Sequence, residues 1–368
     1  MRLALVHDWL TGMRGGEKVL EVLCELMPSA DLYTLVHVPG SVSPIIEQRR
    51  VIASPLNKLP GVGRYYRYLL PWMPWAAGCL NLEGYDLAVV LSHCVAHGVR
   101  VSPQTRLVRY CFTPMRYAWN PESYFPRGPW RDPRYWGLRL LQGRLREWDR
   151  RASRGIEEYI ATGRNVAERI RSCYGRDSVV IHCPVDSDYY RPLDAAPESF
   201  YLWVGALAPY KRIDMAMDAF RELGRELIVI GAGQELAKAR RTAPPNVRFL
   251  GWQPDDVLRR HYASCQALIF PGEEDFGIVP LEAQACGRPV IAYGKGGARE
   301  TVVDIEAEDP GAGPTGVLFE DCTAAGLVAA IRRFEKVERE FNPETIRRNA
   351  LRFSRQTCKA ALKKYLFG

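Results

Sequence analysis

The chain has 368 residues, enough for two domains of ordinary size, and its 47% hydrophobic and 25% charged content is that of a globular protein. No run approaches the roughly 18 apolar residues of a membrane span, and the apolar core of Met1–Asp8 is too short for a signal peptide. Ten scattered cysteines without a C-x-x-C pair indicate neither a zinc site nor a disulfide framework. The net charge is +8, and the whole excess lies in the first half: residues 1–185 hold 25 Lys/Arg against 16 Asp/Glu, residues 186–368 hold 25 against 26. No nucleic-acid motif accompanies it, so an anionic membrane surface or a phosphate-bearing acceptor is the expected partner. The cytoplasm, peripherally on the inner face of the membrane, is the expected location.

In chain order, Arg2–Trp9 reads as a strand, residues 10–16 as a glycine loop, and Lys18–Met27 as a helix with apolar residues at Val19, Leu20, Leu23 and Met27, the opening of a Rossmann-like unit. The glycines are not spaced as G-x-G-x-x-G, so no nicotinamide cofactor is expected. Residues 61–80 carry three Tyr, two Trp and two Arg around Leu-Leu-Pro-Trp-Met-Pro. Such a mixture suits either a bilayer interface or a helix pair in the core. Strands Asp86–Leu91 and Arg106–Phe112 lead into loops at 92–98 and 113–116, at the strand ends where open α/β sheets bind ligands. Residues 117–155 are rich in Trp, Tyr, Arg and Pro, with a basic amphipathic helix at Arg139–Arg154. Glu158–Thr162 reads as a strand, Asn165–Cys173 as a helix closed by Gly175, and Ser178–Pro184 as a last strand before an aperiodic, Asp- and Pro-bearing linker.

The second half restarts with strand Phe200–Val204 and a loop bearing Gly205 and the adjacent cations Lys211 and Arg212. Two cations at the mouth of a strand–loop–helix suit a diphosphate, although a solvated pair has the same spacing. Helix Asp214–Leu223, strand Glu226–Ile230 with Gly231 and Gly233, strand Asn246–Gly251 before Trp252, and helix Asp256–Ala263 follow. Strand Gln266–Phe270 then runs into Pro271–Gly287, where a glycine-bearing loop feeds a helix with Pro280 in its first turn and Cys286-Gly287 at its end. Glu274 lies in the loop and Glu282 one turn into the helix. The free N–H groups of residues 277–280 offer an anion site. A loop carboxylate for sugar hydroxyls, helix N–H groups for a phosphate and a second carboxylate for a ribose diol suit a sugar nucleotide; ordinary solvated glutamates on a βαβ unit would have the same spacing. Helices at Ala324–Val337, from Pro343 and over Arg352–Phe367 complete the chain.

Glu274-Asp-Phe-Gly-Ile-Val-Pro-Leu-Glu282 resembles the E-x7-E signature of glycosyltransferase family 4, retaining enzymes of the two-Rossmann GT-B fold. Gly15-Gly16-Glu17, Thr113-Pro-Met-Arg-Tyr117, Tyr210-Lys-Arg-Ile-Asp214 and Gly296-Gly297-Ala-Arg-Glu-Thr301 agree in the same order. Together they resemble the bacterial mannosyltransferases of O-antigen and exopolysaccharide assembly. The resemblance implies two Rossmann-like α/β domains facing across a cleft: an acceptor-side domain at 1–185, a hinge at 186–198, a nucleotide-sugar domain at 199–350 and a helix at 351–368 packing back on the first domain. It implies catalytic roles for Glu274 on the sugar and for Lys211 and Arg212 on the departing diphosphate. Gly15, Gly16, Gly205, Gly233, Trp252, Phe276, Gly277, Ile278, Val279 and Glu282 would line the donor. The donor would be GDP-mannose or else a UDP-sugar, the acceptor a polyprenyl-linked glycan, with no metal or other cofactor required. Two positions depart from the family: Phe112 stands where a histidine usually precedes Thr-Pro, and Ala206 where an arginine usually precedes the lysine by five. His7, His93 and His97 are candidates for the missing imidazole. The departures leave open a nucleotide-sugar-binding protein with lost catalysis, or a GT-B nucleotide-sugar epimerase.

Overall fold

The computed structural model describes residues 1–124, 133–193, 197–308 and 313–368. Parts of the expected 117–155 segment and of the 186–198 hinge lie outside the described residues. The chain divides into two compact units, Met1–Cys183 with Cys358–Gly368, and Pro184–Thr357.

The first unit holds β1 (Leu3–Leu10), β2 (Asp31–His37), β3 (Val51–Ala53), β4 (Asn81–Leu82), β5 (Leu87–Ser92), β6 (Arg100–Val101), β7 (Arg106–Cys111), β8 (Glu158–Ala161) and β9 (Val179–Val180). Seven of them form one parallel sheet in the order β3-β2-β1-β5-β7-β8-β9, with β4 and β6 paired separately. Strands β1 and β5 are buried along nearly their whole length, which is why they read as continuous apolar runs rather than alternating ones. The sequence reading passes over β2 and β3, and the expected strand Ser178–Pro184 shortens to Val179–Val180.

The second unit holds β10 (Phe200–Val204), β11 (Glu226–Ile230), β12 (Val247–Gly251), β13 (Leu268–Phe270), β14 (Val290–Tyr293) and β15 (Gly316–Phe319), parallel in the order β12-β11-β10-β13-β14-β15. Tyr201, Trp203, Leu227, Val229, Ile269 and Ile291 pack with the helices Ile213–Leu223 and Ala324–Val337. The alternate residues Leu202, Ile228, Leu268 and Val290 point to the opposite face and are buried as well. Both sheets are therefore doubly wound, and in both the strand order reverses, between β1 and β5 and between β10 and β13.

Three expectations change. Gly15 and Gly16 are not loop residues but the first two of the helix Gly15–Leu26, whose Glu17 carboxylate accepts the Arg14 N–H at 3.0 Å. Residues 186–193 group with the second unit: Tyr190 is buried edge-on against Tyr262, and Arg347 donates to the Ser187 and Tyr190 carbonyls. Residues 61–80 serve the core on one face only, as a 3-10 turn Tyr66–Trp72 followed by the helix Met73–Gly78. Among the described residues, no helix is long and apolar enough to cross a membrane.

The last helix, Arg355–Phe367, returns to the first unit, where Lys359 pairs with Glu25 at 2.8 Å and Arg106 donates to the Leu366 carbonyl at 2.7 Å. Leu362 on its inner face is fully buried. Leu362→Ala should cost the first unit about 2–5 kcal/mol, a transfer term plus a cavity, seen as a lower urea midpoint. The exposed neighbour Lys363→Ala should leave the midpoint unchanged.

Candidate active site

Ligands of doubly wound sheets sit beyond the carboxyl ends of the strands where the order reverses. In the second unit those strands are β10 and β13, and the loops after them bring two opposite charges together. Lys211 follows β10 in the turn Pro209–Lys211, Glu274 follows β13, and the Lys211 Nζ lies 2.6 Å from Glu274 Oε1. Both are mostly shielded, at 12% and 19% side-chain exposure, so the pair is held more firmly than a surface ion pair. Glycine makes the approach feasible. A Cβ on Gly272 would sit 2.5 Å from the Tyr210 carbonyl oxygen, so only glycine lets the β13 loop lie against the Lys211 turn. Gly205 lies under the Lys211 side chain, and Gly233 touches the Leu207 backbone.

Arg212 is the one non-glycine residue with a left-handed backbone among the described residues (φ 54°). Its guanidinium donates to Cys322 Sγ at 3.3 Å and lies 3.5 Å from Asp214. The structure thus places the two cations in different settings, with Lys211 alone against Glu274. Past Glu274, Gly297 N–H donates to the Glu274 carbonyl at 2.9 Å, which ties the β13 loop to the turn after β14. Phe276 is buried against Phe353, and Gly277, in the left-handed region, starts the helix Ile278–Ala285. Ile278 and Val279 present N–H groups without intrahelical acceptors, and Pro280 brings none. Glu282 accepts a hydrogen bond from Tyr262 Oη at 2.8 Å. Tyr262 is wholly buried, and burial together with the Glu282 charge pushes its phenol well up, so it remains a donor. Trp252, after β12, is largely exposed.

The first unit repeats the pattern with different chemistry. Asp8, buried in β1, accepts N–H groups from His93, Cys94, Val95 and Ala96 at 2.7–2.9 Å. Its Oδ2 lies 3.1 Å from His93 Nδ1, and His93 is 35% exposed just after β5. Burial alone would raise the Asp8 carboxyl; the charge and hydrogen bonds of His93 outweigh it and hold the group well below the usual carboxylate range. Phe112 packs edge-on to both His7 and His93, and a Cβ on Gly16 would lie 3.1 Å from His7 Nε2 and 3.2 Å from Phe112. The helix start at Gly15-Gly16, the two histidines and Phe112 therefore share one place at the strand ends.

Of the three histidines, His7 is buried with Nδ1 donating to the Trp9 carbonyl, and His97 is buried in a separate network. Ser92 Oγ lies 3.2 Å from His97 Nδ1 and His97 Nε2 lies 3.0 Å from Asp149 Oδ1, the order of a hydrolytic triad. All three are inaccessible, and Asp149 also takes Trp119 Nε1 and Tyr174 Oη, so this is internal scaffolding. Burial and the nearby Arg109 push the His97 imidazole down. His93 alone of the three reaches solvent appreciably.

Residues 192–352 match the family model of glycosyl transferases group 1. The match falls within the second unit, which is thus similar to the group 1 glycosyl transferases. An uncharacterised glycosyltransferase of Methanocaldococcus jannaschii is 30% identical over 163 residues, 43% of this chain and 44% of that protein. The GDP-mannose-dependent alpha-(1-6)-phosphatidylinositol monomannoside mannosyltransferase of Mycolicibacterium smegmatis is 28% identical over 213 residues, 50% and 54%. The chain spans about half the length of the curated relatives it matches. Among solved structures, the sucrose-phosphate synthase of Thermosynechococcus elongatus aligns with a TM-score of 0.74 at 17% identity, over 99% of this chain and 98% of that one. Anabaena HepE, solved with UDP-glucose, gives 0.68 at 18%, over 100% and 99%. These likenesses identify the fold as GT-B.

Sequence reasoning missed Tyr262 and Asp8. An aspartate inside the largely apolar run Leu3–Leu10 was a usable signal, because a buried carboxylate needs dedicated partners. Tyr262 carried none, since the helix period does not tell which element its hydroxyl meets. Asp8→Ala should cost about 3–5 kcal/mol by leaving four N–H groups and His93 without their acceptor. Because the folded carboxyl is depressed, its stabilisation is present above the unfolded value and fades as pH falls below about 4. In Asp8→Asn, the acid limb of a denaturation-midpoint profile should be shallower than in wild type.

Proposed function

We propose that this chain is a retaining glycosyltransferase that moves a hexose, mannose from GDP-mannose, onto a growing lipid-linked surface glycan while attached peripherally to the inner face of the membrane. The observation that carries the reading is the Lys211–Glu274 pair at the reversal point of the family-matched unit. Departure of a nucleoside diphosphate builds negative charge on the leaving group and positive charge on the sugar. Lys211 neutralises the first; Glu274, fixed by that same amine, accepts hydrogen bonds from sugar hydroxyls. Arg212 and the N–H groups of Ile278 and Val279 add donors for the diphosphate, with Gly205, Gly233, Phe276 and Gly277 leaving room for it. Glu282, oriented by Tyr262, takes the ribose diol, and Trp252 borders the base. Protein cations stabilise the leaving group in this scheme.

The first unit supplies His93. Its Nδ1 faces Asp8, so the imidazole is oriented through that atom and Nε2 is the one left for a ligand at the strand ends of that unit. It thereby substitutes for the imidazole that relatives place where Phe112 stands, and Gly15 and Gly16 open a helix N-terminus beside it.

Isothermal titration with GDP-mannose, UDP-glucose and UDP-N-acetylglucosamine tests the donor assignment. One nucleotide should bind selectively, and Glu282→Ala should weaken it about 10–100-fold, the loss of charged hydrogen bonds. Tight binding of a UDP-sugar instead would replace the mannose assignment; binding of none would sink the transferase reading. Lys211→Ala should lower kcat about 100–1,000-fold. His93→Ala should lower kcat with donor affinity retained, which a merely structural role would not do.

A further inference from the structure

One face of residues 59–79 keeps large aromatic side chains in solvent. The inner face carries Tyr66, Leu70, Met73, Ala76 and Ala77 into the first unit's core. On the outer face, Tyr68, Trp72 and Trp75 are 76%, 58% and 57% exposed, and Leu59 adds 40%. They lie along the continuous turn-and-helix from Tyr66 to Gly78, interleaved with the buried residues of its inner face. Leaving two indoles and a phenol in water sacrifices burial that a polar residue would not need, and clustered exposed apolar side chains mark contact sites.

The charge around this face selects the partner. No Asp or Glu occurs between Glu47 and Glu83, while Arg49, Arg50, Lys58, Arg64 and Arg67 all fall in that interval. Lys58, Arg64 and Arg67 are exposed beside the aromatics. Rings with a polar edge, interspersed with cations and free of carboxylates, match the interface of an anionic bilayer, where the indole body meets acyl chains and Lys or Arg meets headgroup phosphates. The span is too short to cross and its inner face is already buried, so it lies in the interface plane.

We propose that Tyr68, Trp72 and Trp75, flanked by Lys58, Arg64 and Arg67, form a docking face for an anionic lipid surface. The contact is independent of donor chemistry and stands whether or not the transferase reading holds.

Sedimentation of the full chain with vesicles tests it, using phosphatidylcholine alone and phosphatidylcholine mixed with phosphatidylglycerol. Binding should require the anionic lipid, weaken as salt is raised, and shift tryptophan emission to the blue. Arg64→Gln/Arg67→Gln should weaken it about 30-fold at about two surface charges lost. Tyr68→Ser/Trp72→Ser/Trp75→Ser should abolish it while the circular-dichroism melt and donor titration stay as in wild type, since none of these side chains supports the core. Equal binding of neutral and anionic vesicles, or undiminished binding by the triple variant, overturns the proposal. So does a concentration-dependent oligomer, dissolved by the triple variant, in a protein that ignores vesicles: the face would then meet a second copy.

Discussion

Parallel strands that wind outward in both directions from a central pair must leave their connections diverging at one point, and that constraint organises each unit of this protein. Between β1 and β5, and again between β10 and β13, successive loops turn to opposite sides and cannot cover the strand ends between them. Backbone and side-chain polar groups collect there because nothing else fills the space. In the second unit the collection is Lys211 against Glu274; in the first it is Asp8 against His93. The two sites arise from the same topology rather than from any likeness of sequence.

The pairs differ in what they hold. Asp8 is inaccessible and spends its oxygens on four backbone N–H groups, so it fixes the turn after β5 and the histidine on it. Lys211 and Glu274 remain partly open, and each can exchange its partner for a ligand group without leaving a buried charge alone. The backbone contact at Gly272 sets the distance between them, so their geometry is a property of the loops and not of side-chain flexibility. Glu282 has a firmer setting, because the buried hydroxyl of Tyr262 orients it from behind. A serine, a histidine and an aspartate in the order of a hydrolytic triad show the opposite case, in which suggestive geometry without access does only structural work.

The same separation of inner and outer duties runs through residues 59–79. One side of a short, proline-interrupted turn closes the first unit's core, and the other keeps its aromatic rings in solvent among arginines. The core reading of this stretch holds for the side chains of its inner face, while Tyr68, Trp72 and Trp75 stay exposed.

Much of this protein was legible without coordinates. The strands β10 and β11 and the helix Ala324–Val337 fall on the residues expected, because a buried parallel strand must be apolar throughout and a half-buried helix must repeat every 3.6 residues. The spacing of Glu274 and Glu282 across a loop and one helical turn likewise follows from local geometry. Other features needed the chain to fold back on itself. Nothing local to Gly16 says that it begins a helix pressed against His7 and Phe112, and nothing local to His93 separates it from His7 and His97. Short strands such as β3 and β9 take their character from the neighbours they pair with. Local pattern records whether a residue meets water or protein; which protein atom it meets is set by contacts far apart in the chain, and only tertiary structure decides those.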